Sequence, residues 1–237
     1  MSDTQNIFLP GGFKQFRILK SKYVIAEKSV LVIGSGSEKI ALKMLEAGAA
    51  CVSFIVNDYE SLMSARFVLS NKSKVSAKMM NYDNTDFSDN EFDLIYAQAS
   101  ISTTNRNKII KEVKRILKAS GTLCTGEITA REKDYPPFVR DIFESSDVSP
   151  LLHESCENYF IERKFEIMYS EDLSSSLKNF YETAKQSLKD VINELSEKEK
   201  SHYKKLLNKI SHESNAYLKL GADRYIGFKM IILKKSE

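Results

Sequence analysis

The sequence has no tryptophan, three histidines and only three cysteines. Cys51, Cys124 and Cys156 lie far apart, are odd in number and show no metal-binding spacing, which argues against a disulfide framework and gives no reason to expect a metal site. Cys51 and Cys124 fall in apolar runs, so we expect buried thiols at both positions. Unpaired thiols fit a reducing compartment, and we therefore expect a cytoplasmic protein.

Long apolar runs and an excess of one charge are also absent. No run approaches the roughly 18 residues that span a bilayer. Residues 1–10 lack the charged head and apolar core of a secretory signal. The 35 basic and 32 acidic residues are interspersed and leave a net charge of +3. We therefore expect no membrane and no nucleic acid among the partners.

The most informative stretch is residues 30–38, where four branched apolar residues run into Gly34-Ser35-Gly36. A continuous apolar run bounded by glycine predicts a strand buried on both faces. The spaced apolar residues after Glu38 predict a helix. Strand, glycine turn and helix in this order are typical of nucleotide-binding α/β units, because glycines let the backbone pass close to a ligand and the helix N-terminus offers free N–H groups.

Further strands and helices alternate along the first half of the chain, which predicts a parallel, doubly wound sheet. Ligands of such sheets bind outside the carboxyl ends of the strands. A helix over residues 13–23 precedes the first strand and is an accessory element. The five predicted strands cover residues 30–33, 51–56, 74–79, 92–97 and 122–128.

The second half of the chain predicts two more strands, at residues 165–169 and 225–233. Between them, residues 171–219 contain no glycine or proline and predict two helices that meet near Ser196. We expect this segment to be a lid or an interaction arm. The predicted organisation is an accessory helix in residues 1–27, an α/β domain in 28–170 and 222–237, and a helical insertion in 171–221.

Two motifs carry a resemblance to a known family. Phe92-Asp93-Leu94-Ile95 forms the fourth predicted strand, and residues 112–121 read Glu-Val-Lys-Arg-Ile-Leu-Lys-Ala-Ser-Gly. Together with the glycine turn, they resemble class I S-adenosylmethionine-dependent methyltransferases over residues 28–130. Dinucleotide-binding enzymes fit less well, because the third glycine of their turn would fall on Lys39. Glu127, Tyr135-Pro136-Pro137 and the closing strand are similar, more loosely, to the small-molecule branch that includes quinone-biosynthesis methyltransferases.

The resemblance implies a Rossmann-like, seven-stranded, mostly parallel sheet with helices on both faces. It also implies methyl transfer from S-adenosylmethionine to a small acceptor. The methyl group is already activated in this cofactor, so the protein chiefly aligns the acceptor with it. A general base is needed only where the acceptor arrives protonated.

The family holds its cofactor with three acidic residues, and this chain places Val32, Val56 and Asn81 at those positions. Glu38 adds a carboxylate where the backbone of the family approaches the cofactor's own methionine carboxylate, and two like charges there are costly. The alternative is that Glu38 points outward as the first-turn acid of its helix. Neighbouring polar residues can replace the lost acids, so the candidate cofactor-binding residues are Gly34, Ser35, Gly36, Asn57, Asp58, Asp83 and Gln98.

Candidates for a catalytic or acceptor-positioning role are few, and each has a structural alternative. Gln98 and Ser100 follow the fourth strand, where the acceptor meets the methyl group in this family. His153 is either a general base or a capping histidine. Tyr181 either lines an acceptor pocket or packs the two inserted helices together, as do Phe180, Tyr203 and Tyr217.

Three hypotheses follow from these residues. The first is a small-molecule methyltransferase with an atypical cofactor site. The second is a degenerate subunit that has a weak or lost cofactor site and forms an oligomer, with itself or with a related active methyltransferase. The third is a different ligand-binding role on the same sheet, since a fold does not determine a function.

Overall fold

The computed structural model describes residues 7–69, 73–194 and 197–236. Helices cover both faces of one sheet. The strands are β1 Ser29–Ile33, β2 Cys51–Val56, β3 Val75–Met79, β4 Phe92–Gln98, β5 Leu117–Ala130, β6 Leu151–Leu152, β7 Phe165–Asp172 and β8 Ile226–Lys235. The helices are α1 Lys14–Lys22, α2 Glu38–Glu46, α3 Tyr59–Val68, α4 Arg106–Ile116, α5 Pro137–Ser145, α6 Cys156–Ile161, α7 Ser175–Glu194 and α8 Glu197–Lys219.

Seven strands form a continuous sheet in the order β3-β2-β1-β4-β5-β8-β7, and the two-residue strand β6 pairs with β5. The first five strands run parallel to one another. β8 is antiparallel to both β5 and β7. The predicted seven-stranded, mostly parallel Rossmann-like sheet is confirmed, with β6 as a short addition.

Strand β1 lies at the centre of the first five strands, between β2 and β4. Val30 and Val32 pack into the core on one face of the sheet, and Leu31 and Ile33 pack into the core on the other. All four side chains are at most 1% exposed. The apolar run of the sequence therefore forms a strand that helices cover on both sides, as predicted.

The N-terminal helix α1 lies on the sheet itself. Phe16 and Leu19 are buried in the same core as β1. The Gln15 side chain donates a hydrogen bond to the Ala97 carbonyl oxygen at 3.0 Å, and Lys14 pairs with Glu171 of β7 at 3.0 Å. These contacts place the start of α1 over the carboxyl ends of β4 and β7.

Helices α7 and α8 form the predicted insertion between β7 and β8. Their aromatic residues pack together, with the rings of Tyr181 and Tyr217 stacked 4.4 Å apart. Leu173 and Leu177 at the start of α7 join the core that contains Phe228 of β8. Ser196, where the two helices were predicted to meet, lies outside the described residues. In the described parts of the chain, no helix is both long and apolar enough to cross a bilayer.

The cysteines divide between one correct and one wrong prediction. Cys124 is buried in β5, as expected, and burial raises the pKa of its thiol to about 12. Cys51 is exposed, so the expected buried thiol is wrong there. Cys51 is the first residue of β2, at the end of the sheet opposite the glycine turn, where the apolar run has only begun.

Candidate active site at the carboxyl edge of the sheet

The strand order brings the predicted cofactor-binding residues into one row. The carboxyl ends of β3, β2, β1 and β4 lie side by side at the same edge of the sheet. They are followed by Asp83, by Asn57 and Asp58, by Gly34-Ser35-Gly36 and by Ser100, and β4 ends on Gln98. Four separate segments of the sequence therefore meet where parallel sheets bind their ligands.

The glycine turn has a backbone that side chains would strain. Gly34 has a φ of +113° and Gly36 a φ of +82°, and both values lie in the region that favours glycine. A Cβ on Gly34 would collide with the Cβ of Ser100. The Ser100 hydroxyl donates to the Ile33 carbonyl oxygen at 2.7 Å, so this predicted catalytic candidate supports the turn from the side of β4.

The two valines at acidic positions of the family are core residues here. Val32 and Val56 are both 0% exposed and pack into the same apolar core. Neither valine offers a polar atom to a ligand. A cofactor in this row has to be held by the backbone and by the polar residues of the turns.

Glu38 folds back onto the glycine turn. It begins α2, and its half-buried carboxylate accepts a hydrogen bond from the Gly36 backbone N–H at 3.1 Å. Glu38 is thus the first-turn acid of α2, as the alternative held, but its half-buried carboxylate contacts the preceding turn instead of pointing into solvent. The Ser37 hydroxyl, fully buried in the same turn, has no hydrogen-bond partner in the described structure.

The polar residues after β2 and β3 differ in whether their side chains are already hydrogen-bonded within the protein. Asp58 is the N-cap of α3 and accepts a hydrogen bond from the Ser61 N–H at 2.8 Å, which lowers the pKa of its carboxyl. Asn57 beside it is exposed. Asp83 is half-buried in a turn that the Asn84 N–H closes by donating to Asn81 at 3.3 Å. In the part of the chain that the structure describes, the side chains of Asn57 and Asp83 form no hydrogen bond or ion pair, so both can contact a ligand.

Tyr82 belongs to the same site and was missed in the sequence. Burial raises the pKa of its phenol, the nearby charges of Asp58 and Glu38 raise it further, and a hydrogen bond with the backbone of Asn57 opposes them. The phenol is therefore neutral at pH 7. The available signal was an aromatic residue within the otherwise polar segment 81–90.

Residues 7–13, which we call the N-terminal strap, cover the glycine turn. Leu9 lies so close to Gly36 that a Cβ there would be 3.2 Å from its Cδ2 atom. The Gln98 amide donates to the carbonyl oxygens of Pro10 at 2.6 Å and Gly12 at 2.9 Å. Its oxygen accepts a hydrogen bond from the Tyr96 hydroxyl. Gln98 therefore holds the strap, and both ends of its amide are engaged within the protein.

We expect Gln98→Leu to destabilise the protein by about 2–4 kcal/mol, because it leaves two strap carbonyls and the Tyr96 hydroxyl without their partner. The measurement is urea unfolding, combined with trypsin cleavage after Lys14, which should become faster as the strap loosens. Gln186→Leu is the control, because Gln186 is exposed on α7 and bonds only to Asp190. Equal stability of the two variants would contradict this role of Gln98.

A cavity of about 640 Å³ lies on the other side of this edge, where β5 and β7 end and α7 begins. Arg131 and Asp172 form an ion pair at 3.2 Å in its wall. Burial, with Asp223 as a further cause, raises the pKa of Tyr217 to about 12. The cavity is lined by Arg131, Asp172, Ser174, Ser175, Lys178, Tyr217, Leu218 and Asp223.

His153 lies beside this cavity and away from the glycine turn. Its Nδ1 atom is 2.8 Å from the Thr129 hydroxyl, and its Nε2 atom is 3.4 Å from the Asp172 carboxylate. Burial lowers the pKa of His153, although Asp172 partly opposes this effect. The imidazole is therefore neutral at pH 7. It does not line the cavity itself, but it contacts Asp172, which does.

Tyr181 is buried and forms the second layer of the cavity wall. It stacks on Tyr217, which lines the cavity, and its ring also contacts Phe180 at 5.0 Å. Phe180 in turn contacts Phe8 of the N-terminal strap at 5.4 Å. A row of aromatic rings thus joins the cavity to the strap. The side chain of Tyr203 lies outside the described residues.

Glu127 is a buried structural residue of β5. It is 0% exposed and forms an ion pair with the Arg106 Nε atom at 3.3 Å. The hydroxyls of Ser102 and Thr125 donate to its two oxygens at 2.8 and 2.7 Å. With this set of partners, the carboxylate contributes to the core rather than to a ligand site. Among the described residues, no cluster of histidine, cysteine or acidic side chains is arranged to hold a metal ion.

The central segment of the chain, residues 31–125, matches a known family of protein domains. This segment is similar to the methyltransferase domain family. It spans β1 to β5 and contains the glycine turn, Glu38, Tyr82 and Gln98. The match thus covers the whole row of candidate cofactor-binding residues, and the resemblance to class I S-adenosylmethionine-dependent methyltransferases is confirmed. No protein of curated function matches the sequence.

Solved structures show the same fold over nearly the whole chain. The cyclase SpnF is 18% identical over 94% of this chain and 80% of its own, with a TM-score of 0.76. A geranyl diphosphate methyltransferase in complex with S-adenosylmethionine is 12% identical over 94% and 84%, with a TM-score of 0.69. A methyltransferase from Thiobacillus denitrificans, in complex with S-adenosylhomocysteine, is 17% identical over 97% and 94%, with a TM-score of 0.73.

Proposed function

We propose that the protein binds S-adenosylmethionine at the glycine turn and methylates a small molecule. The observation that carries this proposal is the turn itself, in which Gly34 and Gly36 have left-handed backbones at the carboxyl end of β1. The turn lies within a methyltransferase domain, and similar structures hold S-adenosylmethionine or S-adenosylhomocysteine.

The residues present fit this cofactor in an atypical way. Gly34 and Gly36 give the turn its left-handed backbone, and the buried Ser37 hydroxyl beside it is unsatisfied. Asn57 and Asp83 stand after β2 and β3, where hydroxyl and amino groups of an adenosine would be received. No carboxylate replaces Val32 or Val56, so the cofactor is held by the backbone, the Asn57 amide and the Asp83 carboxylate. Its affinity is lower than a full set of charge-assisted bonds would give.

When it is bound, the cofactor supplies a methyl group activated by a positively charged sulfur. The chain's part is to align an acceptor and exclude water. Leu9 of the strap packs on the turn, and residues of α7 and α8 line the cavity, so both elements are positioned to close over bound ligands. Asp172, hydrogen-bonded to the N-terminus of α7 and close to His153, is placed to accept a proton from an acceptor in the cavity.

The cavity wall favours a small polar acceptor. Four of its eight lining residues are charged, two of each sign, and Tyr217 adds a neutral phenol. Burying a long apolar molecule against these groups would leave them without water. The quinone-biosynthesis branch remains a prediction from the sequence, and this lining does not favour it.

We expect the isolated chain to bind S-adenosylhomocysteine with a dissociation constant in the tens to hundreds of micromolar, about −5 to −6 kcal/mol. Isothermal titration calorimetry measures this directly. Gly36→Val is the control, because a branched side chain at a φ of +82° both strains the turn and meets Leu9. Absence of heat at millimolar ligand with the unchanged chain would contradict the proposed function.

A second function is favoured by one specific observation, which is that the acids nearest the turn are used inside the chain. Glu38 binds the Gly36 N–H and Asp58 caps α3. These contacts suit a non-catalytic subunit that assembles with an active methyltransferase, or with a second copy of itself. No binding by the isolated chain, together with binding or stimulation once a related methyltransferase is added, would select this function over the first.

A further inference from the structure

Glu38 presents a carboxylate to the glycine turn from within the chain. The Gly36 N–H donates to its Oε1 atom at 3.1 Å, and only one residue separates the two. The side chain is half-buried and lies at the first position of α2, where the helix dipole favours a negative charge. The contact is thus a charge-assisted hydrogen bond between the first residue of α2 and the glycine turn that precedes it.

We infer that Glu38 is an internal competitor for the carboxylate of the amino-acid tail of the ligand. This inference rests on the proposed function, since it concerns the same site. The same backbone N–H cannot serve two carboxylates, and the second would meet the charge of the first. Because Glu38 is tethered two residues from Gly36, its effective concentration there is high, and a free ligand has to displace it.

The surroundings do not relieve this competition. Leu9 of the strap lies against Gly36, so an apolar side chain packs on the turn. Tyr82 is a neutral phenol whose pKa is raised chiefly by burial and further by the charges of Asp58 and Glu38. The Ser37 hydroxyl is buried in the turn without a hydrogen-bond partner in the described structure, so this turn is not fully satisfied by the protein itself.

A chemical preference follows. Ligands that share the adenosine and sulfur but lack the amino-acid tail avoid the conflict with Glu38. The unchanged protein is therefore expected to bind methylthioadenosine about as well as S-adenosylhomocysteine, although the latter has more groups to bind. Removal of the Glu38 carboxylate should restore the preference for S-adenosylhomocysteine.

The test is calorimetric titration of both ligands into the unchanged chain, Glu38→Gln and Glu38→Ala. We expect Glu38→Ala to bind S-adenosylhomocysteine at least tenfold more tightly and methylthioadenosine less than twofold more tightly, with Glu38→Gln between them for the first ligand. Glu60→Ala is the matched control, because Glu60 is an exposed acid in the first turn of α3. It should change neither affinity by more than twofold.

Three outcomes would overturn the inference. Equal binding of S-adenosylhomocysteine by Glu38→Ala and the unchanged chain would overturn it alone and leave the proposed function standing, as would an equal gain for both ligands. No binding by any variant would overturn the inference and the proposed function together. Amide hydrogen exchange of Gly36 gives an independent readout without ligand, and it should be at least tenfold faster in Glu38→Ala.

Discussion

Glu127→Ala should destabilise the protein by about 3–5 kcal/mol, the largest effect that we expect from a single side chain outside the apolar core. The replacement leaves the Arg106 guanidinium, which is 5% exposed, without its counter-ion. It also removes the acceptor of the Ser102 and Thr125 hydroxyls, which are both buried. A buried charge without a partner cannot be hydrated, and this cost dominates the loss of the bonds themselves.

Urea unfolding of two further variants separates the charge from the packing. The double replacement Arg106→Met with Glu127→Leu removes both charges, and it should recover at least half of the stability lost in Glu127→Ala. Glu46→Ala breaks the exposed pair with Lys43 at 2.8 Å, and it should cost at most about 1 kcal/mol. A loss below 1 kcal/mol in Glu127→Ala would show that the pair does not stabilise the fold.

Gly34→Ala should cost about 3–4 kcal/mol and abolish ligand binding at the turn. Two effects combine, since a side chain at a φ of +113° is strained by about 1–2 kcal/mol, and the added Cβ collides with Ser100. Relief of the collision requires a shift of either β4 or the turn. Because the turn is the backbone path that a cofactor follows, such a shift also removes the geometry of the site.

The chain offers a control for each of the two effects at Gly34. Gly12→Ala has a φ of +50° and nothing within 4 Å of the added Cβ, so it should cost only about 1 kcal/mol of strain. The pair Gly34→Ala with Ser100→Gly removes the collision, and it should recover at least 1 kcal/mol relative to Gly34→Ala. A cost for Gly34→Ala equal to that for Gly12→Ala would contradict the close approach of Ser100.

The sheet and its glycine turn could be predicted from the sequence because they follow from local patterns. The apolar run before Gly34 indicates a doubly buried strand, and the alternation of such runs with amphipathic helices indicates parallel pairing. Val32 and Val56 could likewise be placed at the ends of their strands, and the structure buries both. These features depend on residues that are close together in the sequence, and there the spacing of apolar residues predicts the secondary structure.

The strap and the orientation of Glu38 could not be predicted in this way. Gln98 and Pro10 are 88 residues apart, and nothing in the pattern around either residue indicates that they meet. The direction of the Glu38 side chain depends on whether its carboxylate binds water or the Gly36 N–H group. The pattern of apolar and polar residues contains no information on this choice. Tyr82 lies in a polar turn whose path is fixed by contacts with β2. At each of these positions, long-range packing decides the chemistry of the site.

The contact between Phe8 and Phe180 bears on the kinetics of ligand entry. The strap covers the glycine turn, α7 borders the cavity, and the two rings lie 5.4 Å apart. Phe180 also packs on Tyr181, so displacement of the strap removes support from the wall of the cavity. We therefore expect the two covers to loosen together, so that a ligand at the turn alters the exchange rate of a ligand in the cavity.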